Sequence, residues 1–423
     1  MVDIKLIRDN PEIFKQACKS KRINVDIDRL LTLDNELKGV KTRLQDIATE
    51  KNKAGKDIAK LQGDAKSAAL AEMTKLKQEE SGLNEKVKQL EPELNNLLLY
   101  VPMPPAPEVP EGKDDTENVE IRRWGTVRQF DFTPKDHVAL GLDLDIIDIE
   151  RGVKLSGSRN YFLKGDGAML HWAVLKFAID HMAARGYKPM AVPLLMRDEA
   201  MRGTAYFPGG EEQAYRMERD ELNLAGTAEV PLTAYHSGEL LDQSQLPIKY
   251  VAMSTCFRRE AGAAGKDTYG LYRIHQFDKV EQVVICENNE DVSRAFHTEI
   301  LGNSEGLMQA LEIPYRVVNV CTGDLGRGQV MKYDIEAWMP SRNNWGETHS
   351  ASRFYDFQSR RMNLRYKDTA GKKNLFCHTL NNTVVASPRI LIPILELYQN
   401  ADGSITIPKV LRPYMGNREK ITK

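Results

Sequence analysis

A chain of 423 residues, with 59 Lys and Arg against 60 Asp and Glu, has room for roughly two or three domains. Its net charge of -1 means that any nucleic-acid contact must come from a local basic patch. Five scattered cysteines (Cys18, Cys256, Cys286, Cys321, Cys377) form no C-x-x-C pair, which argues against a structural zinc and a disulfide scaffold.

Met1–Asp9 lacks the apolar region of a secretion signal. No apolar run is long enough to span a bilayer. A soluble, reducing, cytoplasmic setting with no membrane partner is expected. Residues 1–25 form a short unit. Asn10 reads as a helix cap with Pro11 at the first helical position, and Ile13, Phe14 and Ala17 form a small apolar face.

From Asp28 the pattern becomes a heptad stripe: Leu30, Leu33, Leu37, Val40, Leu44, Ile47, then Ala54, Ile58 and Leu61, interrupted by Lys51. Gln62-Gly63-Asp64 breaks it. A second stripe runs through Leu70, Met73, Leu76, Leu83, Val87, Leu90, Leu94 and Leu97, with Glu80 as its weak point. Two such stripes around one break predict an antiparallel helical hairpin over about 28–99, each helix roughly 50 Å long. Lys51, Lys53, Lys56, Lys60 and Lys66 cluster near its tip. Such a cluster is either a solvated face or a grip on a phosphate backbone. Val101–Gly112 is proline-rich and cannot continue a helix. It divides an N-terminal domain (1–100) from the remainder (119–423), with 101–118 as linker.

Beyond Val119, strands and helices mix, which predicts an α+β domain. Gly165–Arg185 has helical periodicity, ends at Gly186, and leads into an extended segment to Pro193. In Gly226-Thr-Ala-Glu-Val-Pro, Thr227 and Glu229 share a face if the backbone is extended, and a site is the preferred reading; helix N-capping is the plainer alternative.

Two strands then follow, Tyr250–Glu260 and Tyr272–Ile285, joined by a loop with Gly262, Gly265 and Gly270. Alternation places Arg258 and Glu260 on one face of the first strand, and Arg273, Phe277 and Glu281 on one face of the second. Two cations, two carboxylates and an aromatic ring suit an anionic, aromatic ligand carrying an amine. A solvated salt-bridge ladder on an edge hairpin is the plainer alternative.

Phe257-Arg-Arg-Glu-Ala-Gly262, Arg273-Ile-His-Gln-Phe277 and Glu281 resemble motif 2 of class II aminoacyl-tRNA synthetases, in detail the bacterial-type seryl-tRNA synthetases. Helix 165–185 with its following strand resembles motif 1, the dimer element. Leu380–Arg389 resembles motif 3.

The resemblance implies an antiparallel sheet flanked by helices, preceded by a coiled-coil arm that holds tRNA(Ser), in a homodimer. It implies ATP-dependent activation of L-serine to seryl-adenylate with release of pyrophosphate, then transfer to the tRNA 3′ end. It leaves open whether tRNA(Sec) is also charged.

Carried over residue by residue, the serine contacts are Thr227, Ala228, Glu229, Arg258, Glu281, Asn381 and Thr383. The ATP contacts are Arg258, Arg259, Glu260, Arg273, Phe277, Glu347, Thr348, His349, Ser350 and Arg389. Arg258 and Arg389 are the catalytic cations. Glu347 and Ser350 would hold Mg2+, which favours oxygen ligands; His349 has no metal role in the family.

Three departures stand out in motif 3. Asn382 replaces a usual Gly, where a left-handed backbone would be tolerated. Pro388 is expected to start a helix after Ser387. Pro393 is expected to distort it. Two other functions remain in view: activation of an amino acid for a carrier protein, against which the intact arm argues, and a non-catalytic nucleic-acid-binding paralogue, against which Arg258, Glu281, Glu347 and Arg389 argue.

Overall fold

The computed structural model describes residues 1–58, 60–261 and 269–423. Gly262 and Gly265 lie outside the described residues. The chain divides into two compact units, Met1–Pro104 and Pro105–Lys423.

The first unit begins with helices α1 (Ile4–Asp9) and α2 (Pro11–Ser20). Pro11 takes the first helical position, but the Asn10 side chain makes no capping bond. Phe14 and Ala17 are buried whereas Ile13 is exposed, so the expected apolar face loses one member. Two long helices follow, α3 (Ile27–Ile58, 32 residues) and α4 (Gly63–Tyr100, 38 residues). At ~1.5 Å per residue they are about 48 and 57 Å long. Asp26 starts α3 by accepting the Arg29 N–H at 2.8 Å, satisfying one of the helix's orphan donors.

Leu30, Leu33, Leu37 and Ile47 face Leu76, Leu94 and Leu98 across the buried seam. Leu70 does not join them; it is exposed, and its neighbour Ala69 is half-buried. The two polar interruptions meet each other. Lys51 Nζ lies 2.7 Å from Glu80 Oε2, both side chains about one-third exposed or less. A polar pair inside an apolar seam fixes the register of the two helices, because any slip would bury one charge unpaired. Lys51 is therefore a seam residue, unlike the exposed Lys53, Lys56, Lys60 and Lys66. Arg29–Glu93, Lys41–Glu91 and Arg43–Glu79 pairs flank the seam; being exposed, they contribute little each.

In the second unit the proline-rich stretch is not a free spacer. Ala106 N–H donates to Val330 O at 2.8 Å, and Asn319 Nδ2 donates to Glu108 O at 2.8 Å. Asp115–Glu117 forms an exposed 3₁₀ turn.

An eight-stranded sheet organises this unit: β1 (Val119–Trp124), β2 (Lys188–Pro189), β3 (Ile248–Phe257), β4 (Gln276–Cys286), β5 (Tyr315–Asn319), β6 (Met331–Met339), β7 (Asn344–Arg353) and β8 (His378–Ser387). The spatial order is β1-β5-β6-β7-β8-β4-β3-β2. All pairs are antiparallel except β2 with β3.

Three helices pack on the sheet: α5 (Asp166–Ala183), α7 (Glu290–Ala310) and α8 (Leu391–Tyr398). Their Val174, Ala178, Ile300, Leu307 and Leu395 form one core with Val280, Val284 and Val384 of the strands. Because side chains alternate along a strand, Phe277, Lys279 and Glu281 of β4 point to the opposite face. That face carries the candidate site. A short helix, α6 (Glu229–Ala234), lies over it, with Ala228 and Leu232 packed on Val283 and Ile285.

Candidate active site

The strands of motif 2 are shorter than the alternation predicts. β3 ends at Phe257 and β4 begins at Gln276. Arg258, Glu260 and Arg273 lie beyond the ladder, and Glu260 is left-handed at φ 50°, so Arg258 and Glu260 do not share a strand face. Tertiary contacts bring them together instead. Arg258 N–H donates to His275 O at 3.0 Å, and its Nε donates to Gly226 O at 3.2 Å. Its guanidinium lies 5.3 Å from the centre of the Phe277 ring. Arg273 Nη1 lies 2.6 Å from Glu260 Oε2.

Two cavities meet at this point. The first, about 590 Å³, is lined by Arg258, Glu260, Phe277, Glu347, Thr348, His349, Ser350, Thr383 and Arg389. The second, about 780 Å³, is lined by Glu229, Glu281, Asn381, Ser352 and Gln329. Arg258, Lys279 and Ser350 line both. Arg273 faces an adjoining space shared with Arg258 and Glu260. Arg259 lines none of these; its guanidinium lies over the Tyr215 ring at 5.9 Å.

Motif 3 is largely strand. β8 carries Asn381 and Thr383 into the site, and Arg389 follows it. The helix begins at Leu391, later than Pro388. Pro393 is its third residue, where the missing N–H costs no intrahelical bond, because the first four helical N–H groups have no intrahelical acceptor to lose.

Asn382 lies in extended β8 and is fully buried. Its Nδ2 donates to Ser350 O at 2.9 Å, and its Oδ1 accepts from Gln282 and from Ser304. Asn382 thus ties the site strands to α7, and a left-handed backbone plays no part. Arg389 donates to Tyr272 O and Glu347 O, both at 3.1 Å, and stacks on the Tyr272 ring at 4.4 Å.

Thr227 lies in the turn before α6: its Oγ1 accepts the Glu229 N–H at 3.2 Å, while the cap position itself is Ala228 and carries no side-chain capping bond. The segment is a turn into a helix and not an extended face, and Ala228 is a core residue. The helix start places Glu229 on the second cavity. There Gln358 Nε2 donates to Glu229 Oε1 at 2.8 Å. Burial, then the charge of Glu281, push the Glu229 carboxyl up to about 7.

Glu281 Oε2 accepts from Lys279 Nζ at 2.6 Å and from Thr383 Oγ1 at 3.3 Å. Asn381 Nδ2 is buried without a hydrogen-bond partner among the described residues, a donor available to a ligand. Lys279 and Gln358 escaped the sequence reading. Lys279 has the same strand parity as Phe277 and Glu281, which was the signal available for it.

Glu347 is half exposed. Burial of its environment would raise its carboxyl, but the charges of Arg389, Lys332, Arg258 and Arg273 outweigh that and hold it below the usual range. The ionised Glu347 carboxylate and the Ser350 hydroxyl line the same cavity and make an oxygen-only donor set. It fits a magnesium ion that takes its remaining ligands from water and phosphate. Thr348 spends its hydroxyl on Ile335 O and on His349 Nδ1. Burial lowers the His349 imidazole to about 4, so this histidine is neutral and structural.

Residues 1–105 match the family model "Seryl-tRNA synthetase N-terminal domain", and residues 214–398 match "tRNA synthetase class II core domain (G, H, P, S and T)". The serine–tRNA ligase of Deinococcus radiodurans is 46% identical over 419 residues, spanning 99% of this chain and 98% of that protein. This chain belongs to the seryl-tRNA synthetases.

Solved members of the family share its whole fold. The seryl-tRNA synthetase of Pyrococcus horikoshii, complexed with ATP, superposes with a TM-score of 0.93 at 38% identity, covering 100% of this chain and 99% of its own. The cytoplasmic serine–tRNA ligase of Naegleria fowleri, in complex with AMP, gives 0.89 at 34%, with the same coverage.

For this seryl-tRNA synthetase, the raised Glu229 carboxyl carries a prediction. A cationic ligand beside it would select the ionised form. If serine places its ammonium there, its binding should tighten as pH rises through 7 and weaken by about tenfold per pH unit below it. The sign for folding is opposite: burial favours the protonated acid, so stability is fullest below the ordinary carboxylate range and declines as pH climbs through 7. Serine KM measured from pH 5.5 to 8.5 checks this. Glu229→Gln should flatten the profile, and an unchanged profile in that variant would assign the titration elsewhere.

Proposed function

We infer that the two cavities divide the ligation of serine to tRNA(Ser) between them. The observation that carries this reading is their common wall. The first cavity has Glu347, Arg389 and Phe277, which suit a magnesium-bound triphosphate and a base. The second has Glu229, Glu281 and Asn381, which suit a small amino acid. Arg258 stands at the junction, where the substrate carboxylate must meet the α-phosphate.

The reaction is ATP-dependent and needs no protein nucleophile. A serine carboxylate oxygen attacks the α-phosphorus and pyrophosphate leaves. A ribose hydroxyl at the tRNA 3′ end then attacks the seryl carbonyl and AMP leaves. In this reading Arg258 bridges carboxylate and α-phosphate, and Arg389 lies along the base opposite Phe277. Glu260 meets the nucleotide and Arg273 the γ-phosphate. Glu281 and Glu229 hold the ammonium, and Thr383 reads the hydroxyl with Asn381 beside it. Glu347 and Ser350 would hold magnesium, which supplies charge neutralisation on the phosphates. Rate enhancement comes from positioning and fixed charge.

The direct test is ATP–pyrophosphate exchange with each amino acid supplied singly. Exchange with serine alone is expected. Exchange with another amino acid would remove Thr383 as a hydroxyl reader, since a pocket built to bond a hydroxyl strongly rejects ligands that lack one.

The N-terminal domain, residues 1–100, is assigned to tRNA, through Lys53, Lys56, Lys60 and Lys66. Replacing these four by alanine should raise the tRNA KM by about tenfold or more and reduce the salt slope by about one per lysine that meets a phosphate, leaving pyrophosphate exchange unchanged. Equal tRNA charging by the variant would make the tip a solvated face. Exposed Met169 and Trp172 on α5 support a homodimer. No described helix is long and apolar enough to cross a membrane. The proposed location is cytoplasmic. Use of tRNA(Sec) is an extension of the same arm's reading.

A further inference from the structure

One cation in the common wall has no role in the reading above. Lys279 lies on β4 midway between Phe277 and Glu281 and lines both cavities. It is buried, and so is Glu281. Lys279 Nζ and the Thr383 hydroxyl both occupy Glu281 Oε2. No hydrogen bond from the described residues reaches the other oxygen, Oε1. Glu229 faces the same cavity from α6.

The open oxygen then decides what the cavity accepts. The cavity is lined by two acids, Glu229 and Glu281, and by three cations, Lys279, Arg258 and Arg327. A ligand ammonium can donate to Oε1. A hydroxy acid brings no cation to that oxygen and leaves it buried and unpaired, which is costly in a desolvated site. Without Lys279, Glu281 loses its only ion-pair partner among the described residues, and nothing holds Oε1 ready for the ligand.

We propose that Lys279 is a positioning residue that sets the amine requirement of the amino-acid pocket: by occupying Glu281 Oε2 it leaves Oε1 for the substrate ammonium, so that serine is selected over glycerate, its amine-free counterpart. This rests on the reading of Glu281 as an ammonium holder.

The test compares serine KM, ATP KM and inhibition by glycerate in pyrophosphate exchange for the wild type, Lys279→Met and Glu281→Gln. In Lys279→Met, serine KM should rise about 30-fold or more, the effect of truncating one partner of a buried charged pair. ATP KM should stay within about threefold, because ground-state ATP binding is untouched. Glycerate inhibition should hold or strengthen, so discrimination between the two ligands collapses.

An unchanged serine KM in Lys279→Met, with a raised one in Glu281→Gln, overturns the role of Lys279 alone. A wild-type serine KM in Glu281→Gln overturns the reading of Glu281, and the proposal with it. Serine and glycerate weakening together would mark a structural residue, and a rise confined to ATP KM would place Lys279 on the phosphates; either result overturns the proposal. Lys279→Gln keeps a donor for Glu281 without the charge. It carries the same expectations if thermal melting shows that Lys279→Met does not fold.

Discussion

Arg258→Ala should lower serine-dependent pyrophosphate exchange by about 10³-fold, the upper range for removing one preorganised donor from a site of developing charge. Arg258 is the first residue beyond β3. Its backbone is pinned by His275 O and its Nε by Gly226 O. The guanidinium lies over Phe277, so its position is set before substrate arrives. Two anions, the serine carboxylate and the α-phosphate, must approach each other for reaction. With Arg258 removed, both the attraction that gathers them and the charge that offsets their repulsion are lost. Because the transition state needs this cation more than either ground state does, kcat should fall more than either KM rises. Thermal melting should be little changed, since no carboxylate within ion-pair distance depends on this residue among those described. Exchange within tenfold of wild type would dismiss Arg258 as the bridge.

The second large effect is expected at Glu347. Glu347→Gln preserves shape and removes the charge. Apparent magnesium affinity should fall by more than about 10–100-fold, the loss that outer partners of a metal ligand alone bring. High magnesium should restore part of the rate. Glu347 also lies 4.0 Å from Arg389, whose Nη1 donates to its backbone oxygen at 3.1 Å; this bond survives the substitution, so base stacking by Arg389 should persist. A direct readout independent of turnover is magnesium-dependent protection of the ATP complex against thermal unfolding. It should shift to higher magnesium in Glu347→Gln. If the magnesium titration is unchanged, Glu347 is a nucleotide contact and not a metal ligand.

How far the sequence reaches differs from residue to residue. Phe277 and Glu281 were placed on one face correctly, because a strand's alternation is a local property of the backbone. Arg258 and Glu260 were not, because the ladder stops where Arg258 bonds His275 O, a partner 17 residues away. Thr227 was compatible with two backbones. Burial of Val230 and Leu232 at 0% exposure selects the helix, and helix formation aims Glu229 at the cavity. The interruptions Lys51 and Glu80 looked like two weak points, and only the pairing of the helices shows that they are one contact.

By itself, then, the sequence determined the helical arm, the α+β class and the presence of the motif residues, since periodicity and residue chemistry are written in short stretches. Tertiary structure decided which of those residues meet. It brought Lys279 and Gln358 into the site, turned Arg259 onto Tyr215, and made Asn382 a hydrogen-bond junction. The physical reason is that charge pairing and burial act between residues far apart in the chain: Glu281 and Thr383 are 102 positions apart and hydrogen-bonded at 3.3 Å.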